Sequence, residues 1–221
     1  MRDRLMPGAN RAPRKDSAAN RLKLVAAAQK LFAERGLNVT LDEVARKAGV
    51  GTGTAYRHFA NKSELAAVVL AGATQAIADD AQAALAAADP WQGLVQFFSA
   101  TAARQAADRG LYESLSRQGD DKLQSEIWPG VFRAVAELFE VVQASEQIRA
   151  DAVPEDVAAI LVMLGPAVDM SREAGTELWR RYLSLLLAGL RNPDSPVQML
   201  SGPIPLPEQR MALIQAGMIR R

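Results

Sequence analysis

Apolar side chains recur along this chain at intervals of three and four, the period of a helix buried on one side. Leu24, Ala28 and Leu31 make the first such stripe, with Val25 and Phe32 beside it, and Gly36 stands where a helix would stop. The next start signal is Thr40-Leu41-Asp42-Glu43, which has capping-box spacing: the threonine oxygen accepts from the Glu43 amide and the Glu43 carboxylate reaches back. Val39 and Val44 occupy the two staple positions. Val44, Ala45 and Ala48 form one apolar face, and Gly49 ends the helix. Val50 and Gly51 then lead into a short helix from about Thr52 to Phe59, with Ala55 and Phe59 facing inward. Asn61 repeats the cap logic and opens a longer helix rich in Ala, Leu and Val.

Beyond Gly72 the pattern stays helical. Asp89-Pro90 places a cap residue before a proline at the first helical position, and Trp91, Val95, Phe98 and Ala102 follow at helical spacing. Leu111 to Ser116 predicts a short helix, and Trp128-Pro129 opens another with Phe132, Val135, Phe139 and Val142 on one face. Pro154 with Glu155 and Asp156 starts the next, the acids complementing the helix dipole, and Pro166 should kink or end it. Glu177 to Leu190 is apolar around most of its circumference, which predicts burial on several sides. The expected class is all-α, with no strand pattern and no repeat of fixed period. The expected divisions are a disordered basic arm (1–16), a three-helix unit (17–70) with a helix-turn-helix at about 40–59, a helical body (71–192), and a proline-rich tail (193–221) holding at most a short terminal helix.

Composition narrows the chemistry. The chain has 221 residues, no cysteine and one histidine, so thiolate and multi-histidine metal sites have no ligands. No apolar run approaches the roughly 20 residues that span a bilayer. No secretory signal pattern is visible at the start, and a cytoplasmic location is expected. The net charge of +1 conceals a division. Before Ser63 stand 13 basic and 5 acidic residues, a net of +8; from Ser63 onward stand 13 and 20, a net of −7. A basic front joined to an acidic body predicts a module that meets polyanions.

The last two helices of the front unit, short and joined by a glycine-containing turn, have the helix-turn-helix form. Burying Val44, Ala45, Val50, Ala55 and Phe59 against the first helix leaves Thr52, Thr54, Tyr56, Arg57 and His58 toward solvent. The major groove is about 12 Å wide and admits one helix. Threonine suits base edges or the thymine methyl, and arginine suits guanine or phosphate. Tyrosine and lysine suit phosphate, which sets register. Helix starts at Thr40 and Asn61 also offer amides to anions.

Residues 21–70 resemble the DNA-binding domain of the TetR (tetracycline-repressor-like) family. The residues that carry the likeness are LVAAAQKLFAERG, the T-x-x-E-V-A-x-x-A-G-V pattern that follows, and GTGTAYRHFANKSEL. Within them the ordered set is Thr40, Ala45, Gly49, Val50, Tyr56, Phe59, Lys62 and Leu65. LYE at Leu111 and LWRRY at Leu178 look similar to members of the family, less distinctively. The resemblance implies a homodimeric regulator of repressor type that binds a pseudo-palindromic duplex operator and answers to an unidentified small-molecule effector. It implies DNA contacts from Thr40, Thr52, Gly53, Thr54, Tyr56, Arg57, His58 and Lys62. Where the family often has Ser or Thr at the start of the recognition helix, this chain has Gly51, so Thr52 either caps that helix or reads a base.

Trp91, Phe98, Tyr112, Trp128, Phe132, Met163 and Trp179 are the candidates for lining an effector pocket. Core packing is the other reading of each aromatic. Leu161, Leu183, Leu186, Leu187 and Leu190 are the candidates for a four-helix dimer contact, against the alternative of a helix buried in its own core. No catalytic residue, metal site or cofactor is expected: Gly-x-Ser-x-Gly, P-loop and metal-ligand patterns are missing, and His58 has no Ser/Asp companions. A helical adaptor that binds protein without DNA, or a helical enzyme, are the alternative functions. The basic arm is open to two readings, a minor-groove contact or a solubility tail.

Overall fold

The computed structural model describes residues 12–115, 121–192 and 194. The expected tail lies almost wholly outside them, as does most of the basic arm. Eleven helices follow one another among the described residues, with a single isolated antiparallel bridge between Ile148 and Arg191 and no named strand.

The head comprises α1 (Ala12–Arg35), α2 (Leu41–Ala48) and α3 (Thr52–His58). Disorder was expected as far as Asp16, but α1 begins at Ala12. Pro13 sits in its first turn, where a missing N–H breaks no helical bond. Leu24, Ala28 and Phe32 of α1 are fully buried and form the floor on which Val44, Ala45, Ala55 and Phe59 pack. The local signals act as expected. Thr40 completes the capping box with Glu43. Gly49 takes a left-handed φ of 65° and ends α2, a conformation that costs glycine least.

Helix α4 (Lys62–Ala84) opens on the Asn61 cap, whose side chain accepts from the Glu64 amide at 2.9 Å. It runs from the head into the body, packing on α5 (Pro90–Ala107), α7 (Asp121–Ile127) and α8 (Pro129–Ala144). Arg104 of α5 donates two bonds to Asp80 of α4, at 2.9 and 3.0 Å, on the partly exposed seam between them. Helix α6 (Arg109–Leu115) lies between head and body and touches both α1 and α5. A Cβ at Gly110 would come within 2.9 Å of Phe32 Cβ, so α6 rests on α1 with its backbone. Helices α9 (Glu155–Met163), α10 (Gly165–Ala174) and α11 (Leu178–Leu190) complete the body. Pro166 falls in the first turn of α10, at the break expected there. The chain then closes on itself: Arg149 N donates to Leu190 O at 3.1 Å and Asn192 N to Gln147 O at 3.0 Å.

Candidate nucleic-acid interface and ligand cavity

Helix α3 is divided lengthwise. Ala55 and Phe59 are completely buried, which fixes the helix on the head. The opposite side presents Thr52, Gly53, Tyr56 and Arg57 to solvent, with Thr54 and His58 half-buried at its edges. Tyr56 is 51% exposed. The helix carries no acidic residue. Its cap is Gly51, with no side-chain bond, and both Thr54 N and Ala55 N donate to the Gly51 carbonyl. Thr52 is therefore the first helical residue and not the cap, and it is exposed. A Cβ at Gly53 would meet nothing within 4 Å, so the approach to this face is open.

Two predicted contacts at the edge of this surface have internal partners. The Thr40 hydroxyl is engaged with Glu43, accepting from its amide at 3.2 Å and donating to its carboxylate at 3.0 Å. That carboxylate also accepts from Thr40 N at 2.8 Å and from Arg35 at 2.9 Å. The backbone donor first, and Arg35 next, hold the Glu43 carboxyl down at about 2. Lys62 is exposed along its stem, and its Nζ donates to the Leu37 carbonyl at 2.7 Å.

Leu37 is gripped on its other side as well. Its amide donates to Glu113 Oε2 of α6 at 2.6 Å. Glu113 also pairs with Arg109 one turn earlier, at 3.0 Å. Preceding Leu37 is Gly36, with φ of +74°, whose missing side chain leaves the space that the Glu113 carboxyl occupies. The turn between α1 and α2 is thus bound to α6 by a charge-assisted bond, the stronger kind.

At the far end of α6 the body forms a partly open cavity of about 400 Å³. Leu115, the last residue of α6, borders it. So does Trp128, whose Nε1 donates to the Ser114 carbonyl at 3.1 Å. The remaining wall comes from Ile77 of α4, Phe97 and Thr101 of α5, Val131, Phe132, Val135 and Ala136 of α8, and Pro154, Glu155, Val157, Ala158 and Leu161 around α9. Trp128 and Phe132 lie nearly parallel, centroids 6.1 Å apart.

Of the seven side chains predicted to line a pocket, the structure brings Trp128 and Phe132 to this cavity. Trp91 and Phe98 are core residues, 1% and 0% exposed, and the neighbouring Phe97 faces the space instead. Trp179 is buried beneath Arg180, whose guanidinium lies 4.5 Å from its ring centroid. Tyr112 is half-buried and donates to the Val162 carbonyl at 3.3 Å; burial pushes its phenol upward from the ordinary value. Met163, 57% exposed, borders a shallow groove with Leu186 on the outer side of the body. Helical periodicity identifies buried faces but not which of them borders empty space, so Thr101, Val131, Val135 and Val157 had no distinguishing signal.

Of the leucines predicted for a dimer contact, Leu161, Leu183, Leu187 and Leu190 are between 3% and 5% exposed within the chain itself, and Leu161 faces the cavity. The strongest stripe of α11 serves its own core. The surface left on α9 and α11 is Ala159, Met163, Leu185, Ala188 and Gly189, with Leu186 partly covered beside it.

Residues 24–69 match the family model described as bacterial regulatory proteins of the tetR family, and residues 89–192 match that of an SbtR-like transcriptional regulator C-terminal domain. A TetR regulatory protein of Mycobacterium vanbaalenii is 33% identical, the match covering 81% of this chain and 99% of that one, with a TM-score of 0.48. The chain belongs to the TetR family. A Streptomyces coelicolor TetR regulator is 29% identical over 78% of this chain and 99% of its own, with a TM-score of 0.52. Bacillus subtilis FadR, solved in complex with stearoyl-CoA, shares the fold at 21% identity and a TM-score of 0.58, over 76% of this chain and 98% of its own. Among curated proteins, an HTH-type transcriptional regulator of Staphylococcus aureus is 43% identical over 58 residues, 26% of this chain and 31% of that protein. This match spans about a third of the relative's length. As a TetR-family member, the chain is a regulator whose head is a helix-turn-helix unit and whose body is the variable helical domain.

Proposed function

We propose that this protein is a cytoplasmic, non-enzymatic repressor that leaves its operator when a small molecule fills the body cavity. The observation that carries this reading is the bond from Leu37 N to Glu113, because it joins the unit bearing α3 to the helix that borders the cavity.

In this reading α3 lies in the major groove with Thr52, Thr54, Tyr56 and Arg57 toward DNA. The open surface at Gly53 admits the sugar-phosphate edge. His58 and Lys62 stand at the flank, and Thr40 orders the start of α2 beside the backbone. Two subunits meet through the outer surfaces of α9 and α11, at Met163, Leu185, Ala188 and Gly189, and Leu186 packs at their margin. This places two recognition helices about 34–36 Å apart, or a nearby spacing, on a pseudo-palindrome. A ligand between Trp128, Phe132 and Val157 presses on Leu115 and on the Trp128–Ser114 contact. Motion of α6 then carries Glu113 and the α1–α2 turn with it. Such a ligand changes DNA occupancy only through unequal affinity for the two arrangements.

The test begins with selection of genomic fragments by the purified protein, followed by fluorescence anisotropy on the selected site. Affinity should fall steeply with salt as counterions are released. Arg57→Ala should weaken binding on every sequence and reduce the salt slope by about 1, while Thr54→Ala should mainly change sequence preference. Salt-insensitive binding, or no selected duplex at all, would refute the DNA assignment and favour an adaptor.

A further inference from the structure

Hydroxyls on the buried helix faces of this protein mostly return their proton to the preceding turn. Thr74 bonds Leu70 O at 3.3 Å, Ser114 bonds Leu111 O at 2.7 Å, and Ser171 bonds Ala167 O at 2.7 Å. Thr101 does not. It is 0% exposed, it borders the cavity, and its Oγ1 has no hydrogen-bond partner. One turn later on α5, Gln105 is 1% exposed and its Nε2 is likewise without a partner. Residues four apart share a helix face, so the two unsatisfied donors are neighbours on α5, and of the two it is Thr101 that lines the mostly apolar cavity. A buried donor left unpaired is destabilising, and native proteins seldom retain one without a use.

The charges in the wall narrow the class of molecule. Glu155 is the one ionisable group among the described lining residues, and none of them is basic. Glu155 is itself exposed at the start of α9, so a carboxylate or phosphate entering the space would lose hydration without meeting a basic partner among the described lining residues, which burial penalises heavily. The volume corresponds to roughly a dozen waters at about 30 Å³ each, enough for a molecule of one to three rings. The near-parallel Trp128 and Phe132 offer a flat apolar surface. We infer that the cavity takes an uncharged, largely apolar molecule, preferably aromatic, carrying one acceptor oxygen that receives the Thr101 hydroxyl proton. This rests on the reading that the cavity is the effector site. Thr101 is the specificity-determining residue.

Nile red fluorescence on the full-length protein provides the assay, with displacement by hexylbenzene, hexanophenone and para-hexylbenzoate. The hydrocarbon gains more from leaving water, so the decisive quantity is a ratio of ratios. Thr101→Val keeps the shape and removes the donor; the hexanophenone-to-hexylbenzene affinity ratio should fall about fivefold, as for one hydrogen bond. Thr101→Ser should restore most of the ratio. Para-hexylbenzoate should bind at least about tenfold more weakly than the ketone. An unchanged ratio in Thr101→Val, or tightest binding by the benzoate, overturns the ligand class. Ala136→Phe on α8 and Ala158→Phe on α9, both in the cavity wall, separate this from failure of the cavity reading. Both should abolish dye binding while leaving the circular dichroism spectrum intact. If both folded variants bind Nile red as the wild type does, the cavity is not the site and both readings fall.

Discussion

Replacing Gly36 with alanine tests the joint between head and body most directly. The left-handed backbone at φ +74° costs an L-residue about 1 kcal/mol. The added methyl would also run into the Glu113 carboxyl, which must then leave the Leu37 amide. Losing a bond to a charged acceptor and leaving a partly buried N–H unpaired costs about 2 kcal/mol. Gly36→Ala should therefore destabilise by about 3 kcal/mol, and Glu113→Ala alone by about 2 kcal/mol. Together they should not add. The bond can be lost only once, and truncating Glu113 removes the obstacle to the methyl, so the double variant should cost about 3 rather than about 5 kcal/mol. Urea unfolding, followed by circular dichroism at one fixed protein concentration, gives all four corners of the cycle, since a dimer's stability depends on concentration. A double variant whose loss equals the sum of the singles within about 0.5 kcal/mol would show that Gly36 and Glu113 do not share the contact.

Other measurements probe separate parts of the structure. The Glu43 carboxyl, ordinarily near 4.5 and held at about 2 in the folded head, adds stability above the unfolded value that disappears as pH falls from about 4.5 toward 2. Thermal melts of Glu43→Gln should accordingly lose less stability than wild type over that window, and parallel curves would contradict the assignment. Trp128→Phe removes the bond to Ser114 O and should lower stability by about 1 kcal/mol. It should also weaken the effect of a bound ligand on operator affinity; unaltered coupling would exclude this contact from the relay. Leu185, 45% exposed on α11, should give monomers on light scattering when changed to Glu if α9 and α11 form the dimer face. An unaltered dimer would move that face elsewhere.

What could be read in the sequence was chiefly what depends on neighbours along the chain. The Thr40 box, the Asn61 and Asp89 caps and the Gly36 and Gly49 stops each bind backbone groups within a few residues. Their spacing is therefore sufficient to predict them. The exposure of Tyr56 and Arg57 followed from the same logic, because burying Ala55 and Phe59 turns the other side outward. What could not be read depends on distant partners. Nothing near Lys62 shows that its amine will meet the Leu37 carbonyl, or near Glu113 that its carboxylate will reach an amide 76 positions earlier. Helix α7 is not among the elements expected from the periodicity. Burial on several sides was expected for α11, whereas the described chain buries one stripe, with Leu183, Leu187 and Leu190, and leaves Leu185 45% exposed, because only α5 and α10 among the helices pack closely against it.

The two-sided grip on Leu37 constrains anyone who builds hybrid regulators by exchanging reading heads among relatives. A crossover placed just after α4 would transfer the lysine that holds the carbonyl but leave the glutamate behind in the donor's body. The grafted head would dock correctly only where the recipient already has an acid at that place on α6, facing a glycine. Such chimeras would otherwise recognise their new operator and yet fail to respond to inducer.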